Sequence, residues 1–324
     1  VDQTRLYVNP ACVCLALQDQ AQSPCEVELF LPDELKHFQL ATGLPSKSLV
    51  KGRFTLKADH YDQLIDSPFE LAEQTRFAFD AQGIAHEFVI SGKHNANIKR
   101  LKTDIEKICQ TEIALFGSAP FQNYTFMTMA TGNSYGGLEH CNSTSLITPR
   151  EDLPKANEAQ EPSKDYQRFL GLCSHEYFHA WLVKFIRPEN FINYDLQQES
   201  YTSLLWIFEG FTSYYDDLIL LRSGVISQKT YLDLLKAQID RYLQNPGRSI
   251  QSVSESSFDA WIKFYRQDEN SNNAATSYYN KGCLVALCLD LGLRLRGSSL
   301  DALLRRLYEN AQQGIQVHEQ TIFD

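Results

Sequence analysis

Residues 169–183 read FLGLCSHEYFHAWLV, and this stretch decides the interpretation of the rest of the chain. Its apolar residues recur at helical spacing, which predicts a helix over residues 166–184. His175 and His179 are four residues apart and would therefore share one face of that helix. Two imidazoles placed in this way can both reach one Zn²⁺ ion. Glu176 is rotated aside from the pair, in the position that a general base needs.

A catalytic zinc ion takes a third ligand from the protein. The HExxHxxGxxH pattern is excluded, because Ala180, Trp181 and Leu182 follow His179. The next predicted helix, residues 201–221, contains Glu209 among aromatic and aliphatic side chains that surround nearly the whole helix. A carboxylate in such surroundings is costly unless it is paired or bound to a metal, so Glu209 is the candidate third ligand. The alternative is a glutamate on the polar side of an amphipathic helix.

A glycine pair lies between two strand-like runs, in YGGLEH at residues 135–140. Gly136 and Gly137 would let a substrate backbone approach closely. Glu139, directly behind them, could bind a free α-ammonium group. The alternative is a hairpin turn with an incidental glutamate, and the spacing leaves both interpretations open.

The segment SYYNKG, residues 277–282, precedes an apolar helical run. A tyrosine hydroxyl near a zinc ion could stabilise the oxyanion of a tetrahedral intermediate. The chain has 16 tyrosines, most of which must be structural, so the sequence pattern by itself supports this role only weakly.

The periodicity of the chain changes near Ser91-Gly92. Before it, short apolar or alternating runs predict strands at residues 11–17, 26–31, 53–58, 76–79 and 86–90. After it, two further strands are predicted at 124–129 and 145–148, and helices at 97–115, 166–184, 201–221, 228–244, 278–296 and 299–312. The pattern predicts an α+β protein with a β-rich domain at residues 1–92 and a mainly helical domain at residues 93–324.

Composition excludes several classes of function. The formal net charge of -10 argues against a general basic surface for nucleic acid and, less strongly, against docking on anionic membranes. No apolar run approaches the ~20 residues of a membrane helix. The eight cysteines are scattered without a CxxC pair, which favours reduced thiols over a disulfide framework and a cytoplasmic location over the alternative of a secreted or periplasmic one. The first residue is not Met, and we expect the chain to be a fragment or a processed product.

Taken together, four segments resemble the glycyl aminopeptidase family of zinc metallopeptidases, which are gluzincins related to the aminopeptidase N type. The segments are YGGLEHCNSTSL, HEYFHAWLVKFIRP, YTSLLWIFEGFTSYYDDL and SYYNKGCLVALCLDL. The likeness extends from about residue 61 to residue 308. It implies a β-rich N-terminal domain followed by a thermolysin-like catalytic domain. Members usually carry a PDZ-like domain after the catalytic part, so the resemblance also implies a truncated chain.

The resemblance assigns roles to the candidate residues. It implies one Zn²⁺ ion per chain, bound by His175, His179 and Glu209, with Glu176 as general base. Residues 136–140 match the family's exopeptidase loop, which is Gly-x-Met-Glu-Asn in the related aminopeptidases. Glu139 takes the place of the glutamate that holds the substrate amine, while Leu138 and His140 depart from that pattern.

The tyrosine assignment also follows from the resemblance. Tyr279, two residues before Lys281-Gly282, takes the position of the catalytic tyrosine, and its neighbour Tyr278 competes for that assignment.

The resemblance predicts a zinc-dependent aminopeptidase that releases N-terminal Gly or Ala from peptides. Two alternatives stay open: a metalloendopeptidase on the same core, and an inactive peptide-binding scaffold protein. The sequence leaves the oligomeric state undetermined.

Overall fold

A computed structural model of the chain describes residues 3–17 and 19–322. The strands in this part of the chain are β1 (Arg5–Val8), β2 (Cys25–Phe30), β3 (Gln39–Thr42), β4 (Ser46–Val50), β5 (Arg53–Ala58), β6 (Phe69–Ala72), β7 (Gln74–Ala81), β8 (Ile84–Ser91), β9 (Asn123–Thr131), β10 (Gly136–Glu139) and β11 (Ser143–Pro149).

The α-helices in the same residues are α1 (Tyr61–Ile65), α2 (Ile98–Phe116), α3 (Lys164–Phe178), α4 (Leu205–Arg222), α5 (Gln228–Gln244), α6 (Val253–Phe258), α7 (Ser271–Ala274), α8 (Tyr278–Arg294) and α9 (Leu300–Gln312). A π-helix spans Ala260–Phe264. Short 3₁₀ turns lie at Pro10–Cys12, Asp33–Leu35, Arg150–Asp152, Glu189–Phe191, Pro246–Ser249 and Glu319–Ile322. Within the described ranges, no helix is both long and apolar enough to cross a bilayer.

The strands form one five-stranded sheet, in the order β10-β11-β9-β8-β7, and two three-stranded sheets, β1-β6-β3 and β2-β5-β4. In the larger sheet β8, β9 and β11 are parallel, whereas β7 and β10 pair antiparallel at the two edges. Helix α2 lies in the connection between β8 and β9, as a crossover between parallel strands requires. The small sheets are antiparallel throughout.

The mixed architecture confirms the predicted α+β class, with a β-rich N-terminal portion followed by helices. The strands predicted from residue 26 onward are confirmed as β2, β5, β7, β8, β9 and β11, and five of the predicted helices are confirmed as α2, α4, α5, α8 and α9. The sixth, over residues 166–184, is shorter than predicted, because α3 ends at Phe178.

The prediction of a strand at residues 11–17 is wrong. Asn9 caps a 3₁₀ turn with its side chain, and Pro10 at the first position of the turn fixes the backbone there. Leu15 and Leu17 beyond the turn are 93% and 69% exposed. An apolar run forms a strand only where neighbouring chain covers one of its faces, and these side chains are uncovered.

The chain divides into two compact units. The first comprises residues 1–106 and 120–177, and contains all the strands named above. The second comprises residues 107–119 and 178–324, and its described residues form mainly helices and turns. The five-stranded sheet includes strands from both sides of residue 92. The division into domains at residues 1–92 and 93–324 remains a prediction.

Aromatic side chains fasten α3 to the five-stranded sheet in the first unit. The ring of Tyr177 on α3 lies 4.7 Å from that of Tyr124 and 5.6 Å from that of Phe126, both on β9. Its hydroxyl is 2.8 Å from Nε2 of the buried His86 on β8. Since Tyr177 is the residue after Glu176, this contact fixes the rotation of α3 about its axis at the HExxH segment.

A backbone contact between glycines brings α4 and α8 together in the second unit. A Cβ atom added to Gly282 would lie 2.7 Å from the carbonyl oxygen of Trp206 and 2.9 Å from Cα of Gly210. No side chain fits in that space, so glycine is required at the crossing.

We expect Gly282→Ala to destabilise the protein, because the methyl group would force the two helix backbones apart. Overpacking of this kind costs about 1–3 kcal/mol. Gly292→Ala is the matched control: it lies on the same helix with open space around it, and should stabilise the helix by about 0.5 kcal/mol. Urea unfolding measures both free energies, and equal effects of the two substitutions would contradict the glycine contact.

Candidate metal centre

The HExxH segment occupies the C-terminal end of α3. His175 and Glu176 lie in the last turn of the helix, and His179 is the first residue after it. The chain then makes a compact turn, in which the amide of Lys184 donates to the carbonyl of His179 and the amide of Ile186 to that of Trp181. The two histidines therefore remain one turn apart, although the helix does not continue as predicted.

A strained residue shapes this turn. Val183 has a φ of +109°, a region of backbone conformation that β-branched residues rarely adopt. Such conformations cost about 1–3 kcal/mol and persist only where the surroundings enforce them. The carbonyl oxygen of Leu182, the preceding residue, lies 2.8 Å from Nδ1 of His179. Because that carbonyl is an acceptor, it fixes the imidazole proton on Nδ1 and leaves Nε2 available to a metal ion.

Glu209 on α4 lies directly opposite that nitrogen. Its Oε2 is 3.2 Å from Nε2 of the buried His179. One potential ligand atom from each of His175, His179 and Glu209 lies within 4.8 Å of the others. Two imidazoles and one carboxylate form a common set of protein ligands for catalytic zinc, with the fourth position left for water or substrate. The three residues therefore fit a zinc ion, and their role as ligands stays a prediction.

Glu176 packs against the glycine strand β10. A Cβ atom added to Gly137 would lie 2.3 Å from Oε1 of Glu176, whereas one added to Gly136 would meet nothing within 4 Å. Glycine at position 137 thus makes room for the predicted general base itself. The prediction from sequence was room for a substrate backbone. The hydroxyl of Tyr124 reaches the Glu176 carbonyl oxygen at 3.3 Å and further fixes this residue.

The predicted amine-binding residue ends the same strand. Glu139 pairs with Thr144 of β11, and β10 is the outermost strand of its sheet. Gly137 and Glu139 are two residues apart, so their side-chain positions are on the same face of the strand. Just before the strand, the Arg168 guanidinium on α3 lies 3.7 Å from the ring centre of Tyr135. This contact anchors the start of β10 to the helix that carries Glu176.

Tyr278 and Tyr279 are the first two residues of α8. The Tyr279 hydroxyl lies 3.1 Å from that of Tyr265, and the Tyr278 hydroxyl donates to Tyr265 at 3.2 Å. Burial, and after it the negative charge of Glu209, raise the pKa of Tyr279 far above its usual range. Tyr279 therefore keeps its proton at neutral pH and can act as a hydrogen-bond donor.

Sequence reasoning missed Tyr265 and the turn residues Leu182 and Val183. Tyr265 follows the π-helix, and no periodicity in AWIKFYR predicts such a helix. Leu182 acts through its backbone carbonyl, which any residue type supplies. The sequence therefore has no signal for it.

The fold recurs in solved peptidase structures. Over 98% of this chain and 65% of the other, it superimposes on an M1 zinc metallopeptidase mutant from Deinococcus radiodurans with a TM-score of 0.60 and 15% sequence identity. A second structure of that Deinococcus mutant, bound to the substrate Tyr-Ser-Ala, matches 92% of this chain and 58% of its own at a TM-score of 0.56 and 12% identity. Identities this low show the fold alone.

The chain belongs to the M61 glycyl aminopeptidase family. The family's peptidase model matches residues 168–285, and the model of its N-terminal domain matches residues 1–73. An aminopeptidase N family protein from Idiomarina loihiensis, known from a crystal structure, is 46% identical with a TM-score of 0.96. The match covers 99% of this chain and spans 56% of the length of that relative. No curated protein sequence is significantly similar to the chain.

We expect zinc to raise the thermal stability of chelator-treated protein. A ligand that binds only the folded state stabilises it by about 2.7 kcal/mol at a hundred times its Kd. Glu209→Gln should lose most of this effect, because a neutral amide replaces a charged ligand. Glu189→Gln, an exposed carboxylate in a 3₁₀ turn, is the control. Thermal unfolding with metal analysis measures the effect, and undiminished zinc affinity in Glu209→Gln would reject this ligand set.

Proposed function

We propose that this chain provides the catalytic part of a zinc-dependent aminopeptidase, which hydrolyses the first peptide bond of peptides with N-terminal Gly or Ala. The observation that carries the proposal is the convergence of the potential ligand atoms of His175, His179 and Glu209. Glu176 is the residue after the first of these ligands and is the proposed general base. Membership of the glycyl aminopeptidase family supports the substrate class, and the Tyr-Ser-Ala complex of the Deinococcus metallopeptidase supports peptide binding in this fold.

A zinc ion at this position would polarise the peptide carbonyl and lower the pKa of a water molecule. In the proposed mechanism the Glu176 carboxylate takes a proton from the attacking water and transfers it to the nitrogen of the leaving amine. Strand β10, which contains Gly137, is at the edge of its sheet and offers backbone groups to an extended peptide.

Two further residues bind substrate groups that either carry a charge or develop one during the reaction. Glu139 pairs with the α-ammonium group of the first residue and thereby fixes the cut at the first bond. Tyr279 donates a hydrogen bond to the carbonyl oxygen as negative charge develops on it, which lowers the barrier because the donor is already in place.

The first test is release of Gly and Ala from aminoacyl reporter substrates. We expect wild-type protein to be active, and Glu176→Gln to bind zinc but lose activity. Gly137→Ala should lower kcat about 100-fold, because its methyl group displaces the Glu176 carboxylate. The neighbouring Gly136→Ala adds the same group to open space and should retain activity. A zinc-loaded wild type without activity would favour the scaffold alternative.

The choice between exopeptidase and endopeptidase depends on Glu139. We expect Glu139→Gln to lower kcat/KM for a peptide with a free N-terminus about 10- to 100-fold, chiefly through KM, because a charge-assisted hydrogen bond is lost. Hydrolysis of the N-acetylated form of the same peptide should be slow in both proteins. Glu151→Gln, in a 3₁₀ turn, serves as the control. Equal cleavage of both peptides by wild-type protein would identify an endopeptidase.

A further inference from the structure

The turn between β10 and β11 directly follows the proposed amine-binding residue, Glu139. The amide of His140 donates to the carbonyl of Ser143 at 3.0 Å, so the turn itself consists of Cys141 and Asn142. Glu139 lies on the outermost strand of its sheet and is the last residue of that strand. Its position therefore depends on what holds the turn.

Contacts from outside the hairpin hold this turn. The favoured two-residue hairpin turns have a positive φ at one or both of their central residues. Neither Cys141 nor Asn142 has a positive φ, so the turn lacks that intrinsic support. Instead, Oδ2 of Asp66 accepts from the amide of Cys141 at 2.9 Å. The side-chain amide of Asn142 donates to the carbonyl of Gly43 at 2.8 Å. A Cβ atom added to Gly43 would lie 2.4 Å from Oδ1 of Asn142, so the two segments are in close contact.

The buried ring of His140 makes a second contact with the same carboxylate. Its Nδ1 lies 3.3 Å from Oδ1 of Asp66, and the ring is the donor because a carboxylate only accepts. Its Nε2 is buried without a hydrogen-bond partner among the residues that the structure describes. Contact with Asp66 therefore orients the ring. Side chains alternate between the faces of a strand, so a His140 ring held by Asp66 directs Glu139 to the face of Gly137.

Asp66 is itself held in place at the end of α1. It is the residue that caps the C-terminus of this helix, and its amide donates to the carbonyl of Asp62 at 3.1 Å. Its carboxylate thus projects from backbone that the helix fixes. Asp66 lies within residues 1–73, which match the model of the family's N-terminal domain. Asp66, in that matched part, therefore contacts the turn that follows the proposed amine-binding residue.

We propose that Asp66 is a positioning residue for recognition of the substrate amine. It holds the ring of His140 and the amide of Cys141, and these hold Glu139 where its carboxylate meets the α-ammonium group. The inference rests on the proposed function, in which Glu139 pairs with that group. Glu139 is the residue that contacts the substrate, and Asp66 acts through it.

Two small hydroxamic acids separate recognition of the amine from binding to the metal. Glycine hydroxamate has an α-ammonium group, which acetohydroxamate lacks, and both present the same hydroxamate group to a zinc ion. The ratio of their dissociation constants for zinc-loaded protein therefore measures the contribution of the amine. Isothermal titration calorimetry gives both constants without turnover, and zinc content is measured in every sample.

We expect wild-type protein to bind glycine hydroxamate more tightly than acetohydroxamate. Asp66→Ala should weaken binding of glycine hydroxamate about tenfold, as expected when a charge-assisted hydrogen bond is weakened, and leave that of acetohydroxamate unchanged. Asp66→Asn keeps one acceptor oxygen and should lose less. In the Glu139→Gln background Asp66→Ala should change neither constant, because Asp66 acts only through Glu139. Asp59→Ala, at an exposed aspartate just before α1, is the control.

The outcomes distinguish this proposal from the proposed function. If wild type discriminates between the two hydroxamates and Asp66→Ala discriminates equally well, the role of Asp66 is refuted and the proposed function stands. Equal losses for both compounds would also overturn the proposal, because a general structural defect weakens both. Should Asp66→Ala fail to fold, an unchanged ratio in Asp66→Asn decides against it. Equal binding of both compounds to wild type would reject amine recognition by Glu139, and the role of Asp66 with it.

Discussion

The end of α3 at Phe178 is the constraint on which the candidate metal centre depends. In a continued helix the carbonyl of Leu182 would accept from the amide of Ile186, four residues on. Because the helix ends there, the carbonyl of Leu182 is free to accept from His179, at 2.8 Å, and Nε2 is left facing Glu209. The strained backbone of Val183 is the local cost of this arrangement.

The packing of the turn stabilises this strained backbone. Trp181 is fully buried, stacks on Phe116 with ring centres 4.9 Å apart, and donates from its indole nitrogen to the carbonyl of Ser118. Leu182 and Ile186 are likewise buried. A turn held by so much buried apolar surface cannot relax to relieve one unfavourable φ angle, so the His179 ring is held in one orientation. Rigid support of this kind is what a metal ligand requires.

A second constraint, the glycine contact between α4 and α8, acts on the other residues of the centre. Gly210 follows Glu209 by one position, and Gly282 follows Tyr279 by three. Both side chains therefore project from backbone that is fixed by direct contact. A similar close approach occurs at Gly137, where the absence of a side chain leaves room for the Glu176 carboxylate. In each case a missing Cβ atom sets the position of a charged or hydroxyl-bearing neighbour.

A feature could be predicted from the sequence where the residues that determine it are close together in the chain. Periodicity is local, and it predicted α5 and β5 at their observed bounds. The residue types that can bind a metal are also visible locally. HExxH and a glutamate among apolar side chains, Glu209, were therefore sufficient to identify three residues that the fold brings together. The prediction of a strand at residues 11–17 was wrong because a strand depends on a partner distant in sequence.

The orientation of His179 could not be predicted, since it depends on a backbone carbonyl with no sequence signature. The same reasoning applies to the hydrogen bonds of Tyr265 with Tyr278 and Tyr279, because they depend on a π-helix that no periodicity in the sequence predicts.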